Sequence, residues 1–559
     1  MKIAVGAESF EAIRQSGGYY VDKTELIYDL VNANNAVTLF TRPRRFGKTL
    51  AMRMLESFFD CSRDSKGLFD GLAISRHAQF CKDWMNQYPV VFLSFKDVEG
   101  LDFNGAFEML KSAFIDMYQR IEPILKVGNL NGADSDLINR LLYKRISIGD
   151  AKDLIKILTR ILYTIYGKQV IVLIDEYDVP LAKAQENGYY REMLDVVRGM
   201  FSVALKTNEY LKFGVVTGCL WITKESVFTG VNNFSAYSVL NEDFSEYFGF
   251  THGEVQRMLA EAGMAEKEEL IRSWYDGYVF GNSYVYCPWD VVSYVAALLR
   301  RPNATPENYW KNTSGNGILR AFIDSTQFTV TDKFETLMNG GTIQQDITQE
   351  LTYDALYDSE ENLWSVLVMT GYLTKADPEK QSKEDVELRI PNREISSIFQ
   401  DTVVAHFRRG LNRDAQREMV QAFWNEDEKG ASEKLSDFLW QTISYNDYHE
   451  DYYHAFLAGI FVGLGYAVES NKEHGTGRPD ILLKDRMNRR ALIIEAKAAK
   501  TKSDIESVKQ EAVAQIAREK YWKGLDGYRT ILCYGVCFYQ KEAYVKELEL
   551  STLGGDSRQ

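Results

Sequence analysis

The sequence predicts an α/β protein: a parallel sheet clothed by helices, then a mostly helical stretch, then a second and smaller α/β unit. Two observations carry this. Up to about residue 230, short β-like runs alternate with longer helical patterns, and the runs are apolar throughout rather than at every second residue, as in strands buried on both faces. From about 445 the pattern changes to helix, strand hairpin, helix, strand. The length agrees, because 559 residues exceed what one core serves and point to about two to four domains. The expected divisions are 1–235, 236–444 and 445–559.

In chain order, the strands of the first region are AVTLFTR (36–42), PVVFLSF (89–95), VIVLIDE (170–176) and KFGVVTG (212–218). Between them FNGAFEMLKSAFIDMYQRI and DLIKILTRILYTIY carry apolar residues at helical spacing. The 240–440 stretch is aromatic-rich and mostly helical, with turn-like breaks at YDGYVFGNSYVYCP and NTSGNG, and reads as a helical lid and connecting region.

Composition narrows the function classes. Hydrophobic content of 45% and aromatic content of 13% are those of a folded globular chain. No apolar run approaches the ~18 residues needed to cross a bilayer. MKIAVGAESFEAIRQ turns polar too soon for a signal peptide, so a cytosolic (cytoplasmic) protein with no membrane contact is expected. The six cysteines are scattered except for Cys533 and Cys537, a C-x3-C pair within a strand-like run. With no His or second Cys pair nearby they read as buried thiols, and no zinc site is expected. A net charge of −14 excludes a protein that coats nucleic acid over its whole surface, so any such contact must be a local basic patch.

The first chemical signal is TLFTRPRRFGKTLAMRMLESFF: a buried strand, a tight loop, and an amphipathic helix around Gly47-Lys48-Thr49. A strand-loop-helix of this kind aims backbone N–H groups and the helix dipole at a phosphate. Lys48 would meet the β- and γ-phosphates of a nucleoside triphosphate, ATP being the expected one, and the Thr49 hydroxyl would reach Mg2+. Gly47 would let the backbone approach the phosphates. The motif G-x4-G-K-[ST] wants glycine where Arg42 stands.

The second signal is VIVLIDEYDVPL, an apolar strand ending in Asp175-Glu176. Asp175 would hold Mg2+ through water and Glu176 would polarise the attacking water. Thr217, at the end of another strand, is the polar candidate for a γ-phosphate sensor.

The segments YYVDKTELIYDL, RPRRFGKTL, LIDEYD, FTGVNNF, FGFT and WYDGYVFG…VYCPWDV resemble the AAA-ATPase-like family of bacterial and archaeal proteins over roughly residues 5 to 300. The resemblance implies a P-loop NTPase sheet and ATP as ligand. It also makes Arg42 a family trait, since the family's loop reads RPRRFGK[ST]. Arg44, Arg45 and Phe46 fall in that loop with Gly47, Lys48 and Thr49. Arg44 and Arg45 are left with two readings, reinforcement of phosphate binding or a report of nucleotide to a neighbouring domain.

The third signal is GRPDILLKDRMNRRALIIEAKAAK, 477–500. A hairpin brings Asp480 beside Glu495 and Lys497, which share a face of their strand. Two carboxylates suit Mg2+, and the Lys497 ammonium can orient water or stabilise a pentavalent phosphate. From about 445 to 545 the chain resembles the PD-(D/E)xK nuclease superfamily, a restriction-endonuclease-like fold. Glu450, on a preceding helix, is a further candidate metal ligand. Gln515 and Tyr521 resemble the helix motif of the related RecB-like nucleases, but the five residues between them place Tyr521 off the Gln515 face of a continuous helix. Between Lys472 and Lys502 nine Lys or Arg stand against four Asp or Glu, a local patch suited to DNA.

Three readings follow: an ATPase that regulates a Mg2+-dependent DNA nuclease, in defence or mobile-element biology; a nucleotide-dependent scaffold with a non-cleaving nuclease-like domain; and a signalling protein that forms homo-oligomers on ATP binding.

Overall fold

The computed structural model describes the chain except residues 126–129, 223–233, 311–330, 339, 354–355, 357–358, 380–383, 400–401, 403–412, 443–452, 454–455, 458–459, 462–466, 470–478, 486–487, 526 and 551–559. It divides into two compact units: 1–314 with 342–395, and 315–341 with 396–559.

The first unit is built on a five-stranded parallel sheet of β1 (Val37–Thr41), β2 (Val90–Ser94), β3 (Val170–Asp175), β4 (Leu211–Gly218) and β5 (Phe234–Tyr237), in the order β2-β3-β4-β1-β5. β1 and β3 are buried along their whole length, as their unbroken apolar runs require. Helix α1 (Lys48–Phe59) leaves β1 through the tight loop, and α2 (Phe103–Leu125) and α3 (Ile148–Tyr166) are two of the helices that pack against the sheet. Because β4 separates β1 from β3, Val216 pairs with Ile174 and Thr217 with Phe40. That order sets the end of β4 between the phosphate loop and Asp175. Further along lie a hairpin of β6 (Tyr278–Phe280) and β7 (Ser283–Val285) and helix α4 (Pro288–Arg300).

The second unit holds a mixed five-stranded sheet, β8 (Ala467–Glu469), β9 (Ile481–Asp485), β10 (Arg490–Ala498), β11 (Thr530–Tyr539) and β12 (Glu542–Glu547), in sequence order. Only the β10–β11 pair is parallel, because helix α7 (Ile505–Glu519) supplies the crossover. Helices α5 (Arg413–Trp424) and α6 (Glu428–Thr442) bury Phe423, Leu435 and Leu439 in a core shared with Leu492, Ile494 and Tyr534 of the sheet. Cys533 and Cys537 are buried free thiols of β11. Among the described residues no helix is long and apolar enough to cross a membrane, and no group of three metal-ligating side chains occurs.

Candidate nucleotide and metal sites

The phosphate loop takes its shape from two left-handed residues, Arg45 at φ 72° and Gly47 at φ 81°. Such alternation turns successive N–H groups toward one concavity, a form that binds anions. A Cβ on Gly47 would meet nothing within 4 Å, so the glycine serves backbone conformation here. Lys48 Nζ donates to the carbonyls of Arg42 (2.9 Å) and Pro43 (2.8 Å), bracing the loop across its width.

Arg42 leaves the loop altogether. Its guanidinium is fully buried, donates to Thr41, Tyr237 and Phe244 carbonyls, and lies over the rings of Phe248 and Phe280. A glycine there could not supply those donors, which gives the missing glycine a physical reason. Phe46 is buried between Tyr278 and Phe280, and Arg44 is exposed. Arg45 points to Trp289, 5.1 Å from its ring, and donates to Tyr309 O at 2.7 Å.

Asp175 is fully buried at the end of β3 and is held from both sides. Thr49 Oγ1 donates to one carboxylate oxygen at 2.8 Å and Thr217 Oγ1 donates to the other. Burial pushes this carboxyl above the ordinary range, against the pull of its hydroxyl donors and Lys48. Glu176 follows in the left-handed region, φ 54°, with its N–H toward Thr217 Oγ1 at 3.4 Å. Its proton affinity is also raised, by burial first, with Lys48 opposing. The hard-oxygen set of Thr49 and Asp175 fits Mg2+, and a divalent cation held there would supply counter-charge to the buried carboxylate.

Two neighbours escaped sequence reasoning. Tyr177 donates to Leu220 O, and the Asp178 carboxylate accepts from Cys219 and Leu220 N–H, so both pin the chain just past Thr217. The LIDEYD spelling was visible, but its last two residues point to β4, whose position the spelling does not encode. Gly218 permits this: a Cβ there would lie 2.6 Å from the Tyr177 ring.

A cavity of 460 Å³ opens over the loop. Lys48, Thr49, Lys96 and Glu176 line its polar part, and Tyr19, Val21, Phe250, Met258 and Trp289 its apolar part.

In the second unit, Ile481 pairs with Ile494, which carries Asp480 to the position facing Glu495. Asp480 Oδ2 accepts the Ala496 N–H at 2.8 Å. Glu495 is buried at the centre of β10, Lys497 is half-buried two residues on, and Gln515 Nε2 donates to Glu495 Oε1. Opposite Glu495 stands Gly535, where a Cβ would approach Val513 N to 2.8 Å; its bareness lets α7 bring Gln515 to the sheet. Tyr521 joins them, contrary to the continuous-helix expectation. The helix stops at Glu519, Lys520 turns left-handed (φ 52°), and the Tyr521 hydroxyl receives Gln515 Nε2 at 3.3 Å.

Glu450 and Arg486 lie outside the described residues. Arg490 pairs with Asp485 at 2.8 Å and stacks on Trp424, while Arg489 donates to Gly527 O. These two turn arginines therefore serve local structure first. The Asp480–Glu495 pair fits a divalent cation by its donor chemistry.

Residues 4–228 match the model of a family described as predicted AAA-ATPase, and residues 448–548 match the PD-(D/E)XK nuclease superfamily. An uncharacterized protein in the vnfD 5′ region of Azotobacter chroococcum mcd 1 is 26% identical over 415 residues, spanning 73% of this chain and 70% of that protein. Both families point in general terms to ATPase and nuclease chemistry. The chain thus joins an AAA-ATPase-like domain to a PD-(D/E)XK nuclease superfamily domain.

Proposed function

We propose that the protein binds and hydrolyses ATP with Mg2+ and that the nucleotide regulates a Mg2+-dependent DNA nuclease in the C-terminal domain. The observation that carries the ATPase half is Asp175, buried and gripped by Thr49 of the loop helix and Thr217 of β4. The loop N–H groups and Lys48 hold the phosphates, and Thr49 with Asp175 holds the metal. Mg2+ supplies neutralisation of the phosphate charge. Glu176, whose raised proton affinity suits a general base, polarises the attacking water. Thr217, bonded to Asp175 and facing the Glu176 N–H, reads the γ-phosphate position.

In the nuclease site Asp480 and Glu495 hold the metal, Gln515 orients Glu495, and Lys497 stabilises charge on the phosphate. A cytoplasmic protein acting on foreign or mobile DNA fits this chemistry. The engagement of Glu495 by Gln515 also supports a second reading, a scaffold that binds nucleic acid without cutting it. A cleavage assay on DNA and RNA with Mg2+, with and without ATP, separates them. Wild type cuts and Asp480→Ala does not in the first; neither cuts in the second, although both bind.

A further inference from the structure

Arg45 stands between the cavity and the chain that leads out of the first unit. It lines the cavity, and its Nη1 donates to Tyr309 O at 2.7 Å. Its backbone carbonyl receives the Cys287 thiol at 3.9 Å, and its guanidinium lies over Trp289; both residues belong to the start of α4.

Behind them sit two buried carboxylic acids, Asp290 of α4 and Glu394. They approach within hydrogen-bonding reach of each other and lie in the electrostatic range of Arg45. Burial raises the pKa of both above the ordinary carboxylate range, Asp290 raises that of Glu394 further, and Arg45 draws that of Asp290 back down. Glu394 Oε1 accepts Trp310 N–H at 2.8 Å, and Glu394 O accepts Asn308 Nδ2 at 3.2 Å.

The location of these contacts gives them meaning. Residues 308–310 come shortly before Ser314, where the first unit gives way to Gly315. Glu394 directly precedes Ile395, the last residue of that unit before Ser396. Both outgoing segments are thus tied to one another through Glu394, and to the phosphate loop through Arg45.

We propose that Arg45 and the Asp290–Glu394 pair transmit nucleotide occupancy from the phosphate loop to the two segments, 308–310 and 392–395, that lead into the nuclease-bearing unit. The inference rests on the reading that this loop binds ATP. Arg45 acts here as a positioning residue: a phosphate drawing on its guanidinium changes its hold on Tyr309 and its balance of the carboxyl pair together. Coupling of this kind needs a network with two arrangements that both ends bias. One arginine shared between the loop and the buried carboxyl pair is the element that both ends would bias.

The test is hydrogen exchange on the full chain with and without ATP and Mg2+, beside a direct ATP titration, for wild type, Glu394→Gln and Glu394→Ala. Wild type should bind ATP and change exchange about three-fold or more in peptides covering 308–310 and 392–395. Glu394→Gln, which keeps the acceptor for Trp310 and can donate its amide to Asp290 in place of the carboxyl proton, should retain the response. Glu394→Ala should bind ATP within about two-fold of wild type and lose it. If Glu394→Ala does not fold, Arg45→Met read at saturating ATP must lose the response. ATP bound with no change at those peptides, or a full response in Glu394→Ala or Arg45→Met, overturns the transmission alone. No ATP binding in wild type overturns the nucleotide reading and this inference with it.

Discussion

Gln515 Nε2 stands 3.3 Å from the Tyr521 hydroxyl although a helix terminus lies between the two residues. The same amide nitrogen donates to Glu495, so the tyrosine holds the amide that holds the carboxylate. Tyr521→Phe should lower DNA cleavage about five-fold, the equivalent of one hydrogen bond of ~1 kcal/mol. The fold should be intact by circular dichroism. Lys520→Gly should stabilise by about 0.5–1 kcal/mol, since glycine takes the left-handed turn without strain. A melting comparison reads this directly.

Gly535 makes that arrangement possible. Gly535→Ala places a methyl against the Val513 backbone, which cannot rotate away as a side chain would. Expected are a loss of ~1–3 kcal/mol and a larger loss of cleavage than of ATP hydrolysis, because α7 and not the first unit must move. Equal loss of both activities would contradict this.

Restoring the missing glycine of the phosphate loop should do harm. Arg42→Gly strips donors from the carbonyls of Tyr237 and Phe244 and opens a cavity beneath Phe248. A destabilisation of roughly 2–5 kcal/mol is expected, from the carbonyls left without donors and the cavity left by the side chain. Thermal unfolding of the N-terminal domain measures it.

Thr217→Val removes one of the two hydroxyl donors on buried Asp175, at a cost of about 1–3 kcal/mol for the oxygen left behind. ATP turnover should fall about ten-fold or more, and Thr217→Ser should restore most of it. Steady-state kinetics with direct ATP titration separates turnover from affinity.

Glu394 gives a pH signature. Burial first, and then the neighbouring Asp290, raises its pKa above the ordinary carboxylate range. A carboxyl whose folded pKa is raised gives stability that is complete below its unfolded pKa and is lost as pH rises through the folded one. Stability of the wild type should therefore decline from the ordinary carboxylate range upward, with Asp290, Cys287 and Arg45 as the groups around it. Glu394→Gln should flatten that decline. Denaturant midpoints at several pH values show whether it does.

The sequence by itself determined the elements that local chemistry specifies. Unbroken apolar runs marked β1 to β4, because a strand buried on both faces tolerates no polar alternation. Gly47-Lys48-Thr49 after a strand, and Asp480 just before β9 with Glu495 and Lys497 on β10, were legible because each motif lies within one short segment or one hairpin. Only the tertiary structure decided the rest, since each relation depends on strand order or on a chain reversal. Thr217 meets Asp175 because β4 lies between β1 and β3. Arg42 turns inward because carbonyls about 200 residues away need its donors. Tyr521 reaches Gln515 because Lys520 ends the helix in a left-handed turn, which helical periodicity alone could not foresee.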